Sequence, residues 1–272
     1  RKSELFLSNE EFTNSPFPAR HLIDIDSYNF YLDGKKGLTL ISQLGCPFMC
    51  GFCSGRNSPT FRKIRTRTTD NIMEEIALMH KTWGIEAYTF YDDELNLSKS
   101  LLDLLRLLID YQKKNNVQFN LRGCLKAELF TDEQAELMYE AGFKKLLVGF
   151  ESGSPRILDN INKRSTLEDN TRCLEIARRH NIEIKALMSI GHPGETAETI
   201  EETKQWLKDV RPDEFDVTII TVIPGSPYYD DATPILGPAG HGNVGADWIS
   251  PEEQVWVYEI PKNKDKLYSM AV

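Results

Sequence analysis

Cys46-Pro47-Phe48-Met49-Cys50-Gly51-Phe52-Cys53 carries three thiols at the spacing C-x3-C-x2-C. Neighbouring loop residues cannot each bury a separate side chain, so three independent core cysteines are excluded. The run can instead wrap one metal centre. Gly45 and Gly51 let the backbone come close to such a centre, and Pro47 stiffens the turn. Iron–sulfur clusters are held by cysteine thiolates, ordinarily four of them. Three local thiols leave one metal corner for a ligand that is not protein. Structural zinc wants four Cys or His ligands. The remaining Cys124 and Cys173 are distant and show no paired spacing, which weighs against zinc.

Outward from this loop the chain repeats a strand and a helix. The apolar run 38–44 ends at the glycine before the first thiol and reads as a buried strand. Ile72, Ile76, Met79 and Trp83 then lie on one helix face, stopped by Gly84. Further strands are expected at 87–91, 117–121, 146–150, 182–190 and 215–222, with one helix in each gap. Thr131 and Gln134 form a capping box for one of those helices. Strand–helix–strand units at about 30-residue intervals imply right-handed parallel crossovers. The expected fold is therefore α/β, an open, three-quarter (βα)6 TIM-like barrel with parallel strands. Eight units would close a full barrel, and the tail lacks room for two more.

In parallel α/β folds chemistry collects where strands end. The thiol loop follows the first strand, Asp92-Asp93-Glu94 the second, Arg122 the third and Glu151-Ser152 the fourth. Gly191-His192-Pro193-Gly194-Glu195 follows the fifth and Pro224-Gly225 the sixth. These groups are expected around one mouth. Cys173 reads as core.

The totals bound the rest. The 272 residues hold 32 Lys+Arg against 41 Asp+Glu, a net charge of -9. That balance weighs against broad nucleic-acid binding; only Arg62, Lys63, Arg65 and Arg67 form a local basic run. There is no secretory leader pattern and no apolar run near 18 residues, so a cytoplasmic protein without membrane contact is expected.

The thiol run, with Phe52 before its last cysteine, resembles the cluster loop of the radical S-adenosylmethionine (SAM) superfamily. Together with Gly-Phe-Glu-Ser-Gly, His-Pro-Gly-Glu-Thr and Ile-Pro-Gly-Ser-Pro, it is similar to the cobalamin-dependent branch around anaerobic magnesium-protoporphyrin cyclase, over about residues 37–230. The resemblance implies a [4Fe–4S] cluster on Cys46, Cys50 and Cys53, with SAM on the fourth iron. It implies reductive cleavage of SAM to a 5′-deoxyadenosyl radical that takes hydrogen from an organic small molecule. A flavodoxin- or ferredoxin-type electron donor follows. Phe52, Asp92, Asp93, Arg122, Glu151, Ser152, Gly191 and Pro224 are the expected cofactor contacts, Asp92 and Asp93 jointly for the SAM ammonium. Branch members carry a cobalamin-binding domain before the barrel; no Asp-x-His-x-x-Gly occurs here. Cobalamin is thus an option that the resemblance leaves open, with no binding motif in this chain. Residues 1–36 read as a lead-in linker, of the kind that would follow such a domain, 37–230 as the barrel and 231–272 as a C-terminal extension. Rival readings are methylthiotransferase-like modification of RNA or protein, and a non-catalytic iron–sulfur or zinc sensor module.

Overall fold

A computed structural model describes residues 7–55, 57–221 and 224–229. The expected extension 231–272 lies outside them, as does Ile223. Two compact units separate. One is built from the described parts of 1–46, 63–147 and 176–183, the other from those of 47–62, 148–175 and 184–229.

The first unit begins with α1 (Asn9–Thr13), whose Ser8 and Glu11 form a reciprocal capping box. Then come β1 (Tyr31–Leu32), β2 (Lys35–Leu40) and a small antiparallel pair, β3 (Gln43–Leu44) with β4 (Arg65–Thr66). Next are α2 (Thr69–Trp83), β5 (Ala87–Phe90), α3 (Leu101–Asn115), β6 (Asn120–Leu125), α4 (Asp132–Ala141) and the first residues of β7 (Lys145–Glu151), whose part from Val148 on belongs to the second unit. β2 pairs β5 and β5 pairs β6, both in parallel, whereas β1 lies antiparallel on β2. The expected caps are present. Thr131 accepts from the Gln134 N–H, and Gly84 and Gly142 end their helices in the left-handed region. Ile72, Ile76 and Met79 of α2 and Leu101, Leu104, Leu105 and Leu108 of α3 are buried, as their spacing requires.

Three expectations shift here. Residues 7–36 are not a bare linker. Arg20 forms a buried ion pair with Glu75 at 2.6 Å and also donates to the Thr39 carbonyl. Arg67 joins the same carboxylate and is buried, as is Arg65, so half of the basic run is withdrawn from the surface. The strand expected over 38–44 breaks after Leu40, because Asp92 captures the next turn. β6 begins at Asn120 and not at 117, which puts Arg122 inside the strand, opposite Thr89.

The second unit holds the thiol-loop residues 47–62. It also holds α5 (Pro155–Asn160), most of α6 (Leu167–Arg179), β8 (Glu183–Ile190), α7 (Ala197–Val210) and β9 (Glu214–Ile219). β8 and β9 pair in parallel, Lys185 opposite Glu214 through Ile190 opposite Ile219. α5 is an element that periodicity did not reveal, being only six residues long. Cys173 on α6 is fully buried, as expected.

Candidate active site

In the first unit the site is built on the turn after β5. Asp92 is buried and accepts three hydrogen bonds. They come from the Ser42 N–H at 2.7 Å, the Ser42 hydroxyl and the Gln43 N–H at 3.2 Å. Both its oxygens are engaged by the turn that follows β2. Asp93 is exposed and accepts from the Gly45 N–H at 2.8 Å, one residue before Cys46. The adjacent carboxylates thus divide the work. Asp92 braces the approach to the thiol run, and Asp93 ends beside it. Gly45 itself sits at φ 94°, where an L side chain would be strained.

Burial pushes the Asp92 carboxyl up to about 6, against the donors from Ser42 and Gln43 that favour its charged form. A raised folded pKa means that the native state holds this proton more tightly than the unfolded chain. The stabilisation is complete below the ordinary carboxylate range and is lost as pH rises through about 6, about 3 kcal/mol in all. Asn at this position keeps one oxygen for both N–H donors, and its amide can donate to Ser42. Asp92→Asn is therefore expected to gain stability relative to wild type between pH 5 and pH 8, while Asp92→Ala loses stability at both. Urea titrations at the two pH values measure this; parallel pH dependence in wild type and Asn variant would contradict it.

Arg122 lies opposite Thr89 on neighbouring parallel strands, so the two side chains share a sheet face. The Arg122 Nε and the Thr89 hydroxyl are both buried and have no partner among the described residues. Buried donors without acceptors are costly, and a ligand oxygen would relieve both. Cys124 follows two positions on, half-buried on the same face.

In the second unit the centre is Glu151, the last residue of β7. It adopts φ 64°, in the left-handed region. Its Oε1 pairs with the Lys163 ammonium at 2.7 Å, and both side chains are nearly buried, 13% and 6% exposed. Its Oε2 accepts from the Ser189 hydroxyl at 2.8 Å. Burial raises the Glu151 carboxyl, but the Lys163 charge and the Lys163 and Ser189 hydrogen bonds outweigh it and hold the group below the usual range. Gly149 makes room: a Cβ there would stand 2.6 Å from Glu151 Oε1 and 2.8 Å from Lys163 Nζ. Lys163 was not singled out from the sequence. Its only local signals are the glycine in the strand and the left-handed Asn162 and Arg164 on either side.

Ser152 is fully buried. Its hydroxyl meets Thr203 of α7 at 3.0 Å and accepts from the Ser154 N–H, so it holds the turn after β7. The Gly191 and His192 N–H groups both donate to Glu195, whose carboxyl burial pushes up to about 7. Pro224 is exposed. The next residue, Gly225, accepts at its carbonyl from the Asn57 N–H at 3.3 Å. Phe52 packs against Ile157, Leu158 and Ile161 and lies 5.7 Å from the His192 ring.

The Cys53 N–H donates to the Cys50 carbonyl at 3.2 Å, closing a turn that keeps these residues together, and all three thiol-bearing residues of the run are half-buried. Among the described residues no three His, Cys, Asp or Glu side chains converge on a point that would hold a single metal ion. The donor set fits a polynuclear iron–sulfur centre in number and type, and the unpartnered Arg122 and Thr89 atoms fit a polar ligand. No helix among the described residues is long and apolar enough to cross a membrane.

The chain resembles known proteins over most of its length. An uncharacterized methyltransferase of Pyrococcus horikoshii is 29% identical over 218 residues, 80% of this chain and 46% of the relative. The anaerobic magnesium-protoporphyrin IX monomethyl ester cyclase of Rubrivivax gelatinosus is 27% identical over 188 residues, 69% of this chain and 33% of the relative. Among solved structures, the radical SAM methyltransferase TsrM of Kitasatospora setae, with cobalamin and a [4Fe–4S] cluster bound, superposes with a TM-score of 0.67. It is 20% identical and covers 76% of this chain and 38% of that one. The likeness shows the fold, an α/β chain of the open TIM-like barrel class. This chain spans less than half the length of these relatives. The radical SAM superfamily model matches residues 40–207, from the strand before the thiol run into α7, and the chain therefore belongs to the radical SAM superfamily, whose enzymes use a [4Fe–4S] cluster and SAM.

Proposed function

We propose that Cys46, Cys50 and Cys53 hold the [4Fe–4S] cluster, and that the enzyme transforms an organic small molecule, with methyl transfer or a related rearrangement as the outcome. The observation that carries this reading is the C-x3-C-x2-C run inside a superfamily match that covers most of the chain. When bound, the cluster supplies the electron that splits SAM into methionine and the 5′-deoxyadenosyl radical.

The chain's own residues bind and orient. Asp93, exposed beside Gly45, is suited to accept from the SAM ammonium, and Asp92 serves by holding the turn behind it. Arg122 and Thr89 are suited to a carboxylate. Glu151 offers acceptors for ribose hydroxyls, Ser152 shapes its turn, and Gly191 and Pro224 lend backbone edges. Phe52 packs the thiol loop in place. In this reading residues 1–36 lead into the barrel, 37–230 form it and 231–272 follow it. Methyl transfer is favoured among outcomes because the relative named as a methyltransferase exceeds the RNA-modifying ones in both identity and coverage of this chain. Cobalamin belongs to the methyl-transfer arm alone, and an external flavodoxin- or ferredoxin-type protein is the proposed reductant.

Anaerobic reconstitution with iron, sulfide and SAM, followed by reduction, tests the reading. 5′-Deoxyadenosine is the expected product, with S-adenosylhomocysteine added when methylcobalamin is supplied and methylation is the outcome. One zinc per chain with no SAM binding would replace this reading with the sensor module.

A further inference from the structure

Four side chains of the second unit form a hydrogen-bonded chain whose direction follows from elementary chemistry. The Glu151 carboxylate, held ionised beside Lys163, can only accept. Ser189 Oγ has one hydrogen and spends it on Glu151 Oε2 at 2.8 Å. His192 Nε2 lies 2.7 Å from that same oxygen and must therefore donate to it. A fully buried imidazole that burial keeps neutral then has no hydrogen on Nδ1, which is left to accept from the Tyr228 hydroxyl at 3.4 Å. Every donor points toward Glu151.

The far end of this chain grips the thiol loop. The Tyr228 N–H donates to the Gly51 carbonyl at 3.2 Å, and the Gly51 N–H donates to the Ile161 carbonyl at 2.8 Å. The Tyr228 ring occupies the place a side chain at 51 would need, with Cε1 2.4 Å from an ideal Cβ there. The His192 ring in turn faces Phe52. The peptide between the second and third thiols is thus bounded by Tyr228 and His192, whose orientation is dictated from Glu151.

We propose that Ser189, His192 and Tyr228 are positioning residues that fasten the Gly51–Phe52 segment of the cluster loop to the Glu151 carboxylate. The proposal rests on the reading of Cys50 and Cys53 as cluster ligands for its purpose, but its geometry can be tested without a cluster.

The test compares Ser189→Ala, Tyr228→Phe and the hydroxyl-retaining Ser189→Thr with wild type in the full 272-residue chain. Amide hydrogen exchange of the cluster-free protein is followed over peptides covering 48–54 and, as a control, over α3. Loss of one link is expected to speed exchange of the loop peptide about five- to tenfold, with α3 unchanged and Ser189→Thr close to wild type. In [15N]histidine-labelled wild type, the signal that vanishes on His192→Gln should show the Nε2–H neutral tautomer. After reconstitution, iron release to a chelator should quicken about tenfold in the Ala and Phe variants, as for other partners standing behind metal ligands. A loop that exchanges at the wild-type rate in both variants, or a His192 protonated on Nδ1, overturns the proposal. A wild-type chain that takes up no cluster refutes the function proposed above, and the exchange and tautomer results still decide this one.

Discussion

Cys50→Ala is expected to lower 5′-deoxyadenosine formation by the reconstituted chain at least about 100-fold. Removing a group that merely stands behind a metal ligand already costs roughly 10–100-fold. Removing the central thiol of three takes away a ligand itself, and the two remaining cysteines, Cys124 on β6 and the buried Cys173 on α6, lie outside the C-x3-C-x2-C run. The matched control is Cys173→Ala. It trades a small buried side chain for a smaller one at a cost of roughly 1 kcal/mol, and product formation should stay within about twofold of wild type. Product is measured by chromatography after anaerobic reduction. Full activity in the Cys50 variant would remove the cluster from this loop.

The second large effect is on stability, at Glu151. Truncation to alanine takes the carboxylate away from the buried Lys163 ammonium and removes the Ser189 hydroxyl's acceptor. Breaking one side of such a pair costs about 3–5 kcal/mol, because the ammonium loses its carboxylate in a low-dielectric site. Two companion variants identify the cause. Glu151→Gln combined with Lys163→Met removes both charges and should recover most of the loss. Glu151→Gly should be more stable than Glu151→Ala by about 1 kcal/mol, because φ of 64° at this position strains any residue with a Cβ. Urea unfolding followed by circular dichroism reads all three variants against wild type. A Glu151→Ala variant within about 1 kcal/mol of wild type would mean that water reaches Lys163 freely, contrary to its 6% exposure. The pH dependence is opposite to that of Asp92. The Glu151 carboxyl is held low, so its contribution is present above the ordinary glutamate range and is lost as acid protonates it.

These two carboxylates also show how far reading the chain alone could go. The thiol spacing, the helical periods, the caps at Thr131 and Gly84 and the alternation of strand and helix are all short-range patterns. Each is decided by residues within a turn or two of one another, and the structure repeats them with shifts of a few residues at strand ends. Glu151 was legible as a strand-end acid but its partner was not. Lys163 lies 12 positions away, beyond a short helix, and nothing in its neighbours says that its chain turns back. Asp92 and Asp93 were indistinguishable as a pair of letters. Only the contact with Ser42, 50 positions distant, makes one of them a buried brace and leaves the other exposed.

What the order of amino acids determined by itself was the chemistry on offer, namely three thiolates able to grip a cluster and an α/β repeat able to present them. What the tertiary structure decided was which polar groups remain available. Ser152 is bound to Thr203, Asp92 to Ser42 and Gln43, and Arg67 to Glu75, while the Arg122 Nε and the Thr89 hydroxyl are left without partners. The physical reason is that a hydrogen bond is spent at about 3 Å, and distances of that size between residues tens of positions apart exist only once the chain has folded.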